Sequence, residues 1–332
     1  MSYTEFRDGY AVETPGSEGI SVIDGAGDTA YLLGAVSQKS EHPSPKALMR
    51  YAPTGYNTKE VAANLLWKAN FAYRGMYGLV MQNGLPIFYA LGDSSTAGDV
   101  HTLVPFADGS PVPSLTINHE QRGSATNEEY QFTGCKIDSL TMIHDMKDTP
   151  FLMAKIEWMA MGAADGIALT NAPALPATAN TDAYTTLERK WDSGGTPVNI
   201  DGLQYVEISI GNGLRPIYGH TWDTGVYTGR DPYILLEDQR KRYQIIMDLH
   251  TNTIERVLWD ELIAAGSNKE MTFKWVRSAT DYILVTATDC YVTEHELITP
   301  QVDETLIERV VIEPRALSVD VSDALADAMY GD

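Results

Sequence analysis

The chain has 332 residues, 44% of them hydrophobic and 21% charged, a length that suits two ordinary domains and a composition that excludes wholesale disorder. No apolar run approaches the roughly 18 residues of a membrane span, and Met1 to Asp8 lacks the basic start and apolar stretch of a secretory signal, so use without export is expected. The formal net charge of -21, from 45 acidic and 24 basic residues, argues against tight binding to a phosphate backbone.

Taken in chain order, residues 1–28 are polar and glycine-marked, with Thr14-Pro15-Gly16-Ser17 and Gly25-Ala26-Gly27, and predict an extended arm that folds onto a neighbour. A first β unit is expected over 29–162. Its glycine- and proline-marked segment from Gly34 to Asn57 is long for a compact domain and predicts contact with another copy. Arg74 to Leu91 reads as a helix interrupted at Asn83-Gly84-Leu85-Pro86. In the run from Leu152 to Trp158, the residues Leu152, Ala154, Ile156 and Trp158 alternate with Met153, Lys155 and Glu157, the period of a strand with one face on a core.

Residues 163–199, rich in Ala, Pro, Thr and Gly, read as a linker, and a second β unit is expected over 200–317. There Val206, Ile208 and Ile210 alternate with Glu207 and Ser209 up to the turn signal Gly211-Asn212-Gly213, and Tyr243, Ile245, Met247 and Leu249 repeat the pattern. Asn252 as a cap, Glu255 three positions on, an apolar stripe through Leu262 and a stop at Gly266 predict a helix. Residues 318–332 read as a C-terminal arm docking on a neighbouring ring through Leu325 and Met329.

The second unit repeats the first in outline. Ser114 to Ile117, Tyr130 to Cys135, Ile137 to Leu140 and Leu152 to Trp158 find counterparts in Met271 to Lys274, Tyr282 to Cys290, Val292-Thr293 and Leu306 to Ile312. The only two cysteines occupy matching places, 290 − 135 = 155 positions apart, and with neither C-x-x-C spacing nor a disulfide framework each reads as a small buried core residue.

The run Ala90-Leu91-Gly92, Val100 to Pro105, Pro113 to Ile117 and above all Gly134-Cys135-Lys136-Ile137-Asp138-Ser139-Leu140 resembles the tail tube protein of long-tailed, non-contractile bacterial or archaeal viruses. The second unit matches it more loosely, with Asp289-Cys290 in place of the Gly-Cys pair. The resemblance implies a mainly β fold of two tandem β-sandwich or half-barrel units, each with a flanking helix, whose inner sheets join those of other copies into a ring-shaped barrel. It implies stacked rings that conduct viral DNA, with a tape-measure protein in the lumen before it, and other tail proteins at the tube ends. Six units make a ring in this family, so two units per chain would need three chains, in a trimer with pseudo-sixfold symmetry, and one lining unit per chain would need six. The expected location is the virion tail, after synthesis in the host cytoplasm, with no membrane. A distal-tail or baseplate hub, or a tail terminator, is the nearest alternative; a carbohydrate-binding or hydrolase β-sandwich is the alternative from a different class.

The residues offer little chemistry. His144-Asp145 and His295-Glu296 hold imidazole next to carboxylate, but no H-x-x-x-H or H-E-x-x-H spacing accompanies them, and exposed turn residues are the expectation. The glycine pairs lack a following G-K-[ST], and no G-x-S-x-G elbow occurs. The expectation is no catalytic residue, no cofactor and no metal. The candidates for contacts between subunits or rings are His42, Tyr51, Tyr56, Arg230, the basic cluster Arg240-Lys241-Arg242 pairing with acidic residues of an adjacent chain, Leu325 and Met329.

Overall fold

The computed structural model describes residues 3–25, 27–36, 73–106, 112–123, 127–176, 182–192, 196–217, 222–223, 226–227, 232, 234–237, 241–250, 269–298, 307–323 and 325–331. In chain order the elements are β1 (Tyr3–Val12), β2 (Ala35–Val36), β3 (Tyr73–Val80), helix α1 (Leu85–Leu91), β4 (Gly92–Ala97), β5 (Val100–Pro105), β6 (Leu115–Gly123), β7 (Asn127–Asp145), β8 (Thr149–Ala160), β9 (Gly162–Asp165) and β10 (Thr186–Asp192). They continue as β11 (Val198–Asn199), β12 (Leu203–Gly211), β13 (Arg215–Ile217), β14 (Trp222–Asp223), β15 (Val226–Tyr227), β16 (Ile234–Leu236), β17 (Arg242–His250), β18 (Glu270–Ser278), β19 (Asp281–Ile298), β20 (Ile307–Ser322) and a 3-10 turn at Asp327–Tyr330. The chain is mainly β, as its alternating patterns predict. The long predicted helix from Asn252 to Gly266 lies outside the described residues.

Sixteen strands join one antiparallel sheet; eleven follow the path β11-β10-β18-β19-β20-β17-β12-β7-β8-β3-β2, and β1, β4, β5, β6 and β9 lie off it. The path has two ends, so a single chain does not close into a barrel. Its middle run, β2-β3-β8-β7 followed by β12-β17-β20-β19, sets two four-strand groups edge to edge in one layer. The first group is built from the first expected unit and the second from strands that begin in the second, but the units are not separate bodies: one core runs from Tyr10 through Leu140 and Ile208 to Val321, and β5 pairs with the end of β20.

Two long strands make this possible: β7 changes partners along its length, and β19 keeps β20 throughout while β18 pairs only with its first part. The first part of β7 lies between β6 and β9, and the part after Cys135 lies between β8 and β12. Gly134 stands at the change with φ 63, and its N–H donates to Glu13 Oε1 at 2.8 Å. In β19 the first part pairs with β18 and the whole strand with β20; here Asp289 precedes Cys290 with φ 52. Left-handed backbone is inexpensive for glycine and tolerated by Asp, which is why the two residue types can stand at equivalent points. Both strands then carry an irregularity in register three residues past the cysteine, between Ile137 and Ser139 and between Val292 and Glu294. The left-handed residue, the cysteine and the register irregularity all recur at the 155-residue offset of the two cysteines. Both cysteines are buried and unpaired.

Several expected boundaries are corrected. The N-terminal arm is not free to reach a neighbour, because β1 pairs along β6 from Tyr3 to Val12 and Glu13 is buried beneath it. The Glu13 carboxylate accepts from Ser114 Oγ, Thr116 Oγ1, and the Gly19 and Gly134 amides at 2.8–2.9 Å, which secures the arm to β6 and β7. The stretch read as a linker contains β9, paired with β7, and β10, paired with β18. The C-terminal arm begins inside β20, which is an interior strand, and its end folds back: Tyr330 is fully buried, donates to Asp323 Oδ2 at 2.6 Å, accepts from the Gly84 amide at 3.1 Å and stacks on His101.

The helix read over Arg74 to Leu91 is also corrected. Tyr73, Gly75, Tyr77 and Leu79 are buried in alternation, so the first half is strand β3, and only Leu85–Leu91 is helical. Pro86 opens that helix because a missing N–H costs nothing in the first turn, and Asn83 Oδ1 accepts the Leu85 N–H at 3.1 Å. Every residue of α1 is buried, which leaves no polar face and so no helical amphipathic signature.

The two left-handed positions give opposite expectations. A Cβ on Gly134 would come within 2.6–2.9 Å of Met161, so Gly134→Ala adds overpacking to backbone strain and is expected to cost about 2–4 kcal/mol. Asp289→Gly removes the strain and is expected to stabilise by roughly 0.5 kcal/mol. Urea unfolding of the two variants checks both signs.

Candidate assembly interface

The junction between the two four-strand groups is where the chain shows what its sheet edges can bind. Along β7, Ser139 to Asp145 pairs antiparallel with Gly211 to Tyr205 of β12. Alternation in both strands follows from their apolar residues. Leu140, Met142, Ile208 and Ile210 face the core, while Thr141 and Ser209 meet on the opposite face with their hydroxyls 3.1 Å apart.

The bulge in β7 receives the end of β12. The Asn212 N–H donates to the carbonyl of Asp138 at 2.7 Å, and the Leu214 N–H donates to Asp138 Oδ1 at 2.8 Å. Asn212 is itself buried, and its amide nitrogen donates to the carbonyls of Ile137 and Ala90. Lys241 completes the arrangement by donating to the carbonyls of Ala90 and Leu91 and to Asn212 Oδ1 at 2.9–3.0 Å. Those carbonyls end α1, where the chain has no further helical N–H to offer and a cation is favoured. Burial pushes the Lys241 ammonium down to about 8, against the opposing attraction of Glu237. On the core side, Trp275 of β18 donates its indole N–H to His144 Nδ1 at 2.9 Å, which ties the second unit to β7.

The predicted contact residues are scattered. His42, Tyr51, Tyr56, Arg230 and Arg240 lie outside the described residues. Lys241 was expected to meet an adjacent chain; its ammonium is engaged inside its own, because α1 ends beside it. Arg242 is exposed at the start of β17. Leu325 is buried in the chain's own core and Met329 packs against that core, so neither side chain stands out toward a neighbouring ring. Of the two histidine pairs read as exposed turns, His144 is a buried strand residue whose pKa is lowered by burial. His295 is exposed but lies within β19, where it meets Glu308 at 3.3 Å. The two are not equivalent positions of the repeat. Among the described residues, no three His, Cys, Asp or Glu side chains converge as a metal site.

Of the residues that build the junction, Lys241 was a contact candidate, though for an adjacent chain, while Asp138 and Asn212 were not singled out as contacts. Asn212 stood in a recognised turn signal and Asp138 in the most specific stretch of the tail tube resemblance. Their partners are 29 (241 − 212) to 151 (241 − 90) positions away, and no local pattern shows such a pairing.

No protein-family profile matches this chain, and no curated protein matches it. Among solved structures it is similar to a chain of the anti-feeding prophage (AFP) baseplate, seen by cryo-EM with 6-fold symmetrisation. The identity is 7% and the TM-score 0.29, over 40% of this chain and 89% of that one.

Asn212→Ala removes the side-chain donor to the Ile137 carbonyl, one of two side-chain donors to the Ala90 carbonyl and one of three acceptors of the Lys241 ammonium, and is expected to cost about 1–3 kcal/mol in urea unfolding. For Lys241, a base held below its ordinary value, the unfolded chain binds the extra proton between about pH 8 and 10.5. Its charged form therefore weakens the fold below pH 8, and the penalty is relieved as pH rises through that window. Between pH 8 and 10 the wild type should gain stability relative to Lys241→Met, whose own profile lacks this rise. Paired denaturation curves across that range measure the difference.

Proposed function

We propose that this chain is a ring-forming structural subunit of a virion tail, and specifically the major tail tube subunit, with no enzymatic activity and no cofactor. The observation that carries the proposal is the pair of four-strand groups joined edge to edge in one layer within a single chain. It agrees with the expectation of two ring-lining units per chain and so with three chains per ring. The tube resemblance of Gly134 to Leu140 supplies the class of assembly, and these residues occupy the bend and bulge of β7, where the groups meet.

In this proposal the face of the layer opposite the core lines the lumen. It bears the carboxylates Asp145, Glu157, Glu207, Asp248, Glu294 and Glu296. Arg74, Lys155, Arg242 and Arg309 lie on the same face, and Arg309 is held by two 2.8 Å bonds to Asp248. A mixed but acid-biased wall of this kind keeps phosphates from settling at one place, and the overall charge of -21 adds longer-range repulsion. DNA and a tape-measure protein would occupy the lumen without sequence-specific contacts. Other tail proteins would cap the tube ends, and the site of action would be the virion tail. A single-ring role as hub or terminator uses the same layer without stacking.

Electron microscopy and native mass measurement of the purified protein test this. The expected result is rings of three 36.5 kDa chains that stack into tubes. Six chains per ring would overturn the pseudo-sixfold trimer; discrete rings that never stack would favour the hub or terminator; monomers under all conditions would sink the assembly.

A further inference from the structure

We propose that Lys241 and Asn212 form an intramolecular amide cross-link, in which Lys241 Nζ replaces the Asn212 carboxamide nitrogen and ammonia leaves. The inference is independent of the tail reading, because it concerns how the junction is held within one chain, whatever that chain assembles into.

The two reacting groups are in contact. Lys241 Nζ donates to Asn212 Oδ1 at 3.0 Å, so the carboxamide carbon is one bond beyond the atom it already touches. The ammonium gives its other two hydrogen bonds to the carbonyls of Ala90 and Leu91, at 3.0 and 2.9 Å. An ammonium has three N–H groups and no lone pair, whereas the neutral amine has two and one. With the Ala90 and Leu91 carbonyls holding the two that remain, the lone pair takes the third direction, toward the Asn212 carboxamide. That carboxamide is fixed in turn, its nitrogen donating to the carbonyls of Ile137 and Ala90 at 2.7 and 3.0 Å. Groups held in this way react as if each were present at an effective concentration on the order of 10⁵ M, which is what an unactivated amide needs.

The surroundings favour attack. Asn212 is 1% exposed, and Ala90, Leu91, Ile137 and Leu214 around it are buried, so water does not compete for the carbon. Burial pushes the Lys241 ammonium down to about 8, so roughly a tenth of it is neutral at pH 7 and about half at pH 8. The Glu237 carboxylate opposes that shift through its charge, and it is anchored by the Val112 amide at 2.7 Å and Lys136 Nζ at 3.2 Å. In the step, neutral Nζ adds to the Asn212 carboxamide carbon and the bond from that carbon to Nδ2 breaks. The proton that Nζ gives up passes by way of Glu237 to Nδ2, which departs as ammonia. Counted from the ammonium form, the products are a secondary amide and one ammonium ion, and nothing is oxidised or reduced.

The bond would close a loop spanning 241 − 212 = 29 positions, which holds β13 and β16. Both cysteines are unpaired, so the amide would do for this junction what a disulfide does elsewhere, by narrowing the unfolded ensemble. Until it reacts, Lys241 keeps the pH dependence given above.

Intact-mass measurement of the folded wild-type protein, followed over days between about pH 8 and 10, tests the assignment. A species about 17 Da, or one ammonia, below the 36.5 kDa chain is expected to accumulate, and a proteolytic digest should contain a branched peptide joining Asn212 to Lys241. Its rate should rise with pH and level off once the amine is neutral. Lys241→Arg, checked for wild-type circular dichroism, keeps the charge without the nucleophile and should retain the full mass. Wild-type protein that keeps its full mass throughout overturns the proposal. So does an equal loss in Lys241→Arg, which would mean that the Gly213 amide, not Lys241, had attacked Asn212 to give a backbone succinimide. Glu237→Gln is expected to slow the reaction at least about tenfold; an unchanged rate overturns the relay through Glu237.

Discussion

Everything in this fold depends on how the strand edges satisfy their backbone hydrogen bonds. A four-strand group in isolation exposes a row of unpaired N–H and C=O groups on each side, which invites indiscriminate pairing. The chain removes one such pair of edges internally by laying β12 on β7. Asn212 and Lys241 add side-chain hydrogen bonds where the ladder ends, donating to the Ile137 carbonyl beside the bulge and to the Ala90 and Leu91 carbonyls at the end of α1. The two units become one layer because leaving that edge open costs more than merging them.

The bends in β7 and β19 make the layer compatible with a sandwich. A straight strand of 19 residues could serve only one sheet. In β7 the left-handed Gly134 stands where the strand passes from β6 and β9 to β8 and β12; in β19 the left-handed Asp289 stands where β18 ends while β20 continues. In β7, Glu13 holds the bend by accepting the Gly134 amide together with three donors from β6 and the N-terminal loop. Buried carboxylates are tolerated when their lone pairs are so fully occupied. Large aromatics then fill the space behind the bend, with Phe132 and Trp158 at 5.0 Å between ring centroids and Gly75 leaving room for the Trp158 ring.

Local alternation made the interior strands legible. Leu152 to Trp158, Val206 to Ile210 and Tyr243 to Leu249 are half-buried strands whose period of two is imposed by one core face. The same reasoning failed at Tyr73 to Leu91, where small and aromatic residues on β3 and an entirely buried α1 hide both periodicities. It failed again at the termini. The strand β1 is polar because one of its neighbours is the polar strand β6, and Leu325 and Met329 were apolar for the sake of the chain's own core rather than for a neighbour.

By itself the sequence determined that the chain is β-rich, acidic and internally repeated, since composition and period are local properties that each residue carries with it. The repeat of the Gly-Cys stretch and of its Asp-Cys echo was likewise readable, because backbone conformation at the bend restricts the residue type there. Only the tertiary structure decided that the units share a layer, that Lys241 is turned inward and His144 buried, and that β12 pairs with the second half of one cysteine strand. Those outcomes depend on which distant edges meet, and pairing between residues so far apart in sequence leaves no trace in the local pattern of either.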